Sequence, residues 1–351
     1  LGAGGGGSLK QGLDMIQGLK DDGEQIELDL LDVSEMRDDA YAVMVAGLGS
    51  PVAMLDPDMP RFGPDAVFAS RAFQKAFAAE GKKLEYLYSG EMGGFNTFTP
   101  MLVAILSDKD PAKRIKFVDA DGNGRAVPEL NTTINAFYDH PPKPMGMGSL
   151  YGDEIIVYPT TDHSGEQIAR QMCMLYNMRI GFATWGMNKE EITNILDVGC
   201  VTKAQKIGKA ILTAKETGSD VMDELKKAFE VREFCRGTIE KLDLRAEGGF
   251  DFGTTVIKGD DGHTYYIDFK NENLILRDEK GDTIMTAPEG IGMIDLNNCF
   301  PLTNADTKEG MRVLVTMTPA HPNWWDEDHK AYTCWLPELK KVGMKGDQVR
   351  Y

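Results

Sequence analysis

Cysteine is scarce in this sequence and unpatterned. Cys173, Cys200, Cys235, Cys299 and Cys334 are odd in number, widely spaced and form no C-x-x-C pair. That argues against a disulfide framework or a cysteine zinc site and favours a reducing compartment. No apolar run reaches the ~18 residues of a membrane span. Basic residues are in deficit, with 38 Lys and Arg against 55 Asp and Glu and a formal charge of −17. Such a chain repels a phosphate backbone, so nucleic acid is not an expected partner. His140, His163, His263, His321 and His329 form neither H-x-x-x-H nor H-E-x-x-H, so a local zinc motif is missing. The Gly-x-Ser-x-Gly elbow of serine hydrolases is also missing. The opening LGAGGGGS has no basic n-region and no apolar h-region, so it does not read as a signal peptide. It has no initiator Met either; the expectation is a cytoplasmic protein whose sequence starts inside a natural element.

What is abundant is glycine. There are 38, five of them among the first seven residues, with no G-X-Y period to suggest collagen. Hydrophobic residues make up 42% of the chain, enough for a sizeable core and too much for global disorder. The glycines are therefore expected in turns and loops.

The first half alternates strand and helix signals. Residues 9–20 carry Leu9, Leu13, Ile16 and Leu19 at helical spacing behind an N-cap candidate, Ser8. Strands are predicted at 26–31, 41–48, 83–88, 114–118 and 154–158. The continuous apolar run at 41–48 suits a strand buried on both faces. Residues 64–80 predict an amphipathic helix with Val67, Phe73, Phe77 and Ala78 inward, and 97–106 a short one. Helical stretches are read at about 165–179, 189–216 and 219–235. From 236 onward, short strands are separated by polar turns at Lys258–His263 and Arg277–Asp282. The predicted fold is an α/β domain with a largely parallel or mixed sheet over 1–160. Residues 161–351 are read as a helical segment plus a mostly β, barrel- or sandwich-like domain.

Three loops carry candidate chemistry. Backbone N–H groups of Gly4, Gly5, Gly6 and Gly7 before the first helix suit an anion. The loop lacks the Gly-Lys-Ser/Thr of a Walker motif and is a weak dinucleotide fingerprint. The second loop, Glu91-Met92-Gly93-Gly94-Phe95-Asn96-Thr97, puts a carboxylate at a strand end where a general base is useful. Its Gly93 and Gly94 let a ligand approach the backbone, and Asn96 is a polar contact. The third runs from Asp119 through Asp121, Gly122, Asn123, Gly124 and Arg125 to Glu129. Asp119 and Asp121 suit a divalent cation, a positioned water or a ring N–H. D-x-D-G-N-G is not an EF-hand, because Leu130 replaces the twelfth-position Glu and a strand precedes it. Arg125 suits a substrate carboxylate, with a structural Arg–Asp pair as the alternative. Elsewhere, Cys299 has no evident base and reads as an inert thiol. The nineteen methionines read as core filler.

These segments, in this order, resemble the S-methyl thiohydantoin desulfurase-like proteins (the DUF917 family), whose motifs read roughly LGTGGGG, E-x-G-G-x-N and DADGMGRAFPEL. The resemblance runs through the Pro-rich stretch 141–145 to VLVTMTPAH, although its specific motifs lie within residues 1–130. Asn123 stands where relatives often have Met, and Val127 where Phe is frequent. The resemblance implies an α/β domain followed by a mostly β one, and hydrolysis at the sulfur-bearing carbon of a thiohydantoin ring. On that reading Glu91 or Asp119 is the base and Asp121 holds the ring N–H. Gly4–Gly7 would stabilise developing charge and Arg125 would anchor the substrate. A metal-dependent variant gathers Glu91, Asp119 and Asp121 around a divalent ion. The alternative is a non-catalytic metabolite- or nucleotide-binding accessory subunit of a hydantoinase-type enzyme. Expected partners are a small-molecule substrate and either further copies of the chain or a hydantoinase-type protein; the cofactor and metal stay open.

Overall fold

The computed structural model describes residues 3–49, 62–138, 140–247 and 250–351. Leu1 and Gly2 of the first motif, and Ser50 and Pro51 after the buried strand, lie outside the described residues. The described chain forms two compact units. The first comprises Leu9–Gly124 and Glu129–Cys200; the second comprises residues 3–8, Arg125–Pro128 and Val201–Tyr351.

The α/β unit contains helices α1 (Leu9–Asp21), α2 (Pro64–Ala79), α3 (Phe98–Ser107), α4 (Asp162–Leu175) and α5 (Lys189–Ile195). Its strands are β1 (Leu30–Leu31), β2 (Tyr41–Gly49), β3 (Leu84–Ser89), β4 (Lys116–Asp121), β5 (Met145–Gly148), β6 (Glu154–Val157), β7 (Arg179–Met187) and β8 (Asp197–Val198). They form one mixed sheet of order β1-β4-β3-β2-β7-β5-β6, with β8 paired to β4. The β1, β4, β3 and β2 neighbours are parallel, and the remaining pairs are antiparallel. Val43, Met44 and Val45 are all buried, as expected for a central strand covered on both faces.

The approach of α2 to this sheet consumes several glycines. A methyl group on Gly146, Gly148 or Gly181 would strike backbone atoms of Asp65, Ala66, Ala69 or Phe73, and one on Gly186 would strike the Phe77 ring. Helix and sheet thus meet backbone to backbone. The contact is sealed by a buried ion pair, Arg179 Nε to Asp65 Oδ2 at 2.7 Å. Val67, Phe73 and Phe77 face inward as the periodicity indicates, but Ala78 is exposed.

Several boundaries differ from the sequence reading. The 26–31 strand shrinks to Leu30–Leu31. The predicted helix at 165–179 stops at Leu175, because Asn177 and Met178 adopt left-handed φ of 56° and 62°. The chain then enters β7, which pairs with β2 and β5 and keeps residues 162–187 in the α/β unit. The predicted 189–216 helix breaks into α5, β8 and α6 (Cys200–Thr217), since Leu196 is extended and Gly199 has φ +80°. The predicted 219–235 helix ends as α7 (Val221–Ala228), where extended Phe229 turns the chain toward a strand.

The second unit carries β9 (Arg232–Glu247), β10 (Phe250–Gly259), β11 (Thr264–Lys270), β12 (Glu272–Arg277), β13 (Thr283–Thr286), β14 (Gly290–Asp295), β15 (Arg312–Thr318) and α8 (Leu336–Lys341). The strands make an antiparallel sheet of order β13-β12-β11-β10-β9-β15-β14. It curls so that β12 meets β14, with Asn273 Nδ2 donating to Ile291 O at 2.9 Å. Its period-2 pattern separates two cores. Ile257, Ile267, Met293, Val313 and Val315 fill one face. Ile294 and Leu314 face the other, against Ile211, Val221 and Leu225 of α6 and α7.

Candidate functional site

Within the α/β unit, the second and third loops leave adjacent parallel strands. Ser89 and Asp121 are register partners at the carboxyl ends of β3 and β4, where open α/β sheets place ligands. Gly122 N donates to Ser89 O at 2.9 Å, and Asn123 Nδ2 donates to Gly90 O at 2.8 Å. A Cβ on Gly122 would sit 2.7 Å from Gly90 O, so the two loops approach through bare backbone. The 119–124 segment is more ordered than a loop: Asp119 and Asp121 both lie in β4.

Asp121 is fully buried. Its Oδ1 accepts backbone N–H bonds from Asn123 at 2.9 Å and Gly124 at 2.6 Å, while Oδ2 is buried with no hydrogen-bond partner among the described residues. Burial is the largest influence on its proton affinity. Against the opposing pull of the two amides and the Ser89 hydroxyl, and aided by the Asp197 charge, burial lifts the carboxyl to about 7. Tyr88, on the neighbouring strand β3, donates to Trp185 O at 2.8 Å. Burial raises the Tyr88 phenol well above its ordinary value, with the Asp121 and Glu191 charges adding to the effect.

Glu91 is half-buried and Asn96 is buried. The Asn96 amide donates to Glu91 Oε1, and its own oxygen accepts from Gly47 N at the end of β2, at 3.5 Å. Gly93 N donates to Thr97 Oγ1 at 3.1 Å, and a Cβ on Gly12 of α1 would collide with Gly94 O. Asn96 therefore links the general-base candidate to a central strand. Asp119 is buried, and its carbonyl accepts from Gly199 N at 2.8 Å. Glu129 opens a short 3-10 turn, with Thr132 Oγ1 donating to its carbonyl at 2.7 Å. No group of three or more His, Cys, Asp or Glu side chains is arranged to hold a metal ion among the described residues.

The first loop and the arginine belong to the second unit. Gly4 pairs with Thr303 in a parallel bridge, Asn304 N donates to Gly4 O at 2.8 Å and Asn273 N to Ala3 O at 2.7 Å. A Cβ on Gly5 would strike the Glu272 carboxylate. Gly4, Gly6 and Gly7 have φ of +88°, +79° and +78°, which explains the glycine run conformationally. Arg125 is buried and spreads its guanidinium over carbonyls: Ala126 O at 3.0 Å, Glu289 O at 2.8 Å, and Pro288 O and Asn273 O at 3.1 Å. It also lies over the Trp335 ring at 4.7 Å.

Models of the S-Me-THD-like N-terminal and C-terminal domains match residues 1–159 and 160–337. The chain belongs to the S-Me-THD-like family. A protein from Chromobacterium violaceum, known from an X-ray crystal structure, is similar over 99% of this chain and 94% of its own, with TM-score 0.81 and 22% identity; that likeness is one of fold. No curated protein matches the chain.

In this S-Me-THD-like protein, the candidate residues that lie in the α/β unit are Glu91, Gly93, Gly94, Asn96, Asp119, Asp121 and Glu129. The DADGNGR motif divides between the units, Asp119–Gly124 in one and Arg125 in the other. Asn123 bridges two further segments: its Oδ1 accepts from Ile134 N at 3.0 Å while its amide donates to Gly90 O. Sequence reasoning missed Asp197, the antiparallel register partner of Asp121. It lies in a two-residue strand inside what read as one helix, and no local pattern flags it. No helix among the described residues is long and apolar enough to cross a membrane.

Proposed function

We propose that this S-Me-THD-like chain is a hydrolase that removes the methylthio group from an S-methyl thiohydantoin-type ring. The oxygen of water bonds to the amidine-like ring carbon, and the carbon–sulfur bond breaks. The thiolate leaves as methanethiol with the proton that Glu91 took from water, and the water's second proton restores Asp121 as the carbonyl of the hydantoin forms, so no oxidant or reductant is consumed. Glu91, half-buried and oriented by Asn96, takes the proton of the attacking water. Asp121, holding a proton near neutral pH, supplies it to the ring nitrogen and makes the adjacent carbon more electrophilic. Asp119 is the second carboxylate available to the water.

One observation carries this reading. Asp121 sits at a strand end with one oxygen fixed by two amides and its proton affinity lifted to about 7. A carboxyl poised there exchanges protons at working pH, and the family's name supplies the ring. The test is to incubate the purified protein with S-methyl thiohydantoins of varied side chain and follow thiol release with a thiol reagent. Release that falls by about 10²-fold or more in Asp121→Asn is expected. No release from any of them would return the chain to the accessory-subunit reading.

A further inference from the structure

Charge is spread unevenly along this acidic chain. Residues 199–215 hold four lysines and no Asp or Glu, while residues 21–36 hold seven acidic residues and no Lys or Arg. The basic run lies in α6 of the second unit. Ile211 and Ala214 pack that helix inward, and every third residue on its outer side, Lys203, Lys206, Lys209 and Leu212, is exposed. Positions three apart are neighbours on a helix, so the lysines form one row about 9 Å long at about 1.5 Å per residue. The row ends in Leu212, itself 49% exposed. Lys203, Lys206 and Lys209 make no ion pair among the described residues.

The acidic run is held in place within the α/β unit. Buried Arg114 donates from Nη1 to Gln25 O at 2.8 Å and to Glu27 O at 2.9 Å. Gln25, Glu27 and Asp29 are exposed on the approach to β1, while Ile26, Leu28 and Leu30 are half-buried. Asp32 and Glu35 cap their own short turn, which leaves Glu27 and Asp29 as the outward charges of the segment.

We infer that the α6 row is an interaction surface for a second copy of this chain, with Lys206 and Lys209 receiving Glu27 and Asp29 of that copy. Glu27 and Asp29 lie at most about 7 Å apart along the chain, within reach of two lysines one helical turn apart. Charge selects this occupant. The rest of the chain is more negative than the −17 of the whole, so a nucleic acid or an anionic membrane extending past the row is repelled. A narrow acidic ridge touches the row alone, and salt screens charges more than about 8 Å away. The inference is independent of the hydrolase reading.

The test is sedimentation velocity of the full chain at micromolar concentration in about 50 mM and about 500 mM NaCl. The wild type should associate at the lower salt and dissociate at the higher, because exposed ion pairs are screened. Lys206→Glu/Lys209→Glu and, separately, Glu27→Lys/Asp29→Lys should each stay monomeric at the lower salt, since like charges then face each other. An equimolar mixture of the two should associate again, because each supplies the complement of the other's changed surface. Circular dichroism checks that both fold, and Lys206→Gln/Lys209→Gln is a milder variant that should weaken association several-fold. A wild type that is monomeric at low salt overturns the inference, as does association untouched by the reversals or a mixture that stays monomeric. A monomeric wild type that pellets with phosphatidylserine vesicles would overturn it in favour of a membrane.

Discussion

The N–H of Gly124 and the carboxylate of Asp121 meet at 2.6 Å, closing a tight turn at the end of β4. The same turn aligns the Asn123 amide on the same oxygen. An asparagine at 121 retains an oxygen for both donors, so Asp121→Asn keeps the turn and removes only the titrating group. It is therefore a clean probe of the proton, and a loss of thiol release of about 10²-fold or more is expected. Equal kcat/KM in variant and wild type would take Asp121 out of the chemistry.

Stability should depend on the same proton. The folded-state value is raised from 3.8 to about 7, so Asp121 binds its proton more tightly in the folded than in the unfolded chain. The stability this contributes is complete below about pH 4 and is lost as pH rises through 7. Compared with Asp121→Asn, the wild type should lose a few kcal/mol between pH 4 and pH 8, because each tenfold difference in proton affinity between the folded and unfolded chain is worth ~1.4 kcal/mol. Denaturant unfolding at several pH values checks this; parallel curves for the two proteins count against it.

Asn96 ties Glu91 to the end of β2. Replacing it with alanine leaves the carboxylate in place but loosely oriented. We expect kcat to fall about tenfold or more with little change in KM, since misorientation costs rate more than binding. A change confined to KM would instead make Asn96 a substrate contact.

Arg125 is a bracing group in its own unit, with its guanidinium fork on four carbonyls and over Trp335. Lysine matches neither the fork nor the stacking. Arg125→Lys should destabilise the protein by about 2–3 kcal/mol, read as a lowered midpoint of chemical denaturation. An unchanged midpoint combined with raised KM would mark a substrate-binding role.

The α2–sheet contact offers a test away from the site. Asp65→Ala leaves Arg179 without the carboxylate it meets at 2.7 Å in a buried setting, at a cost of about 3–5 kcal/mol. Gly181→Ala should also destabilise, because its methyl meets the Asp65 carbonyl. Wild-type stability in both would contradict the backbone-to-backbone packing.

How much of this was legible in the sequence depended on whether the signal was local. The helix at 64–79, the buried strand at 41–49 and the loops after β3 and β4 follow from periodicity and strand-end glycines, and those loops do converge. β7 was not legible: Gly181 and Gly186 break its strand signal, and they are glycine because α2, a hundred residues earlier in the chain, leaves no room for a side chain. Asp197 was invisible for a related reason, since only its pairing with β4 gives it meaning. The glycine run at 4–7 and Arg125 were conspicuous in sequence. Their partners, Asn304, Thr303 and Glu289, lie more than 160 residues away and had no signature.

The most direct measurement of the central claim is thiol release from an S-methyl thiohydantoin between pH 5 and pH 9, for the wild type and Asp121→Asn side by side. The expected result is a wild-type profile with an inflection near pH 7 and a variant whose residual rate shows none there. A wild-type rate flat through pH 7, or a variant that keeps the inflection, would contradict proton delivery by Asp121.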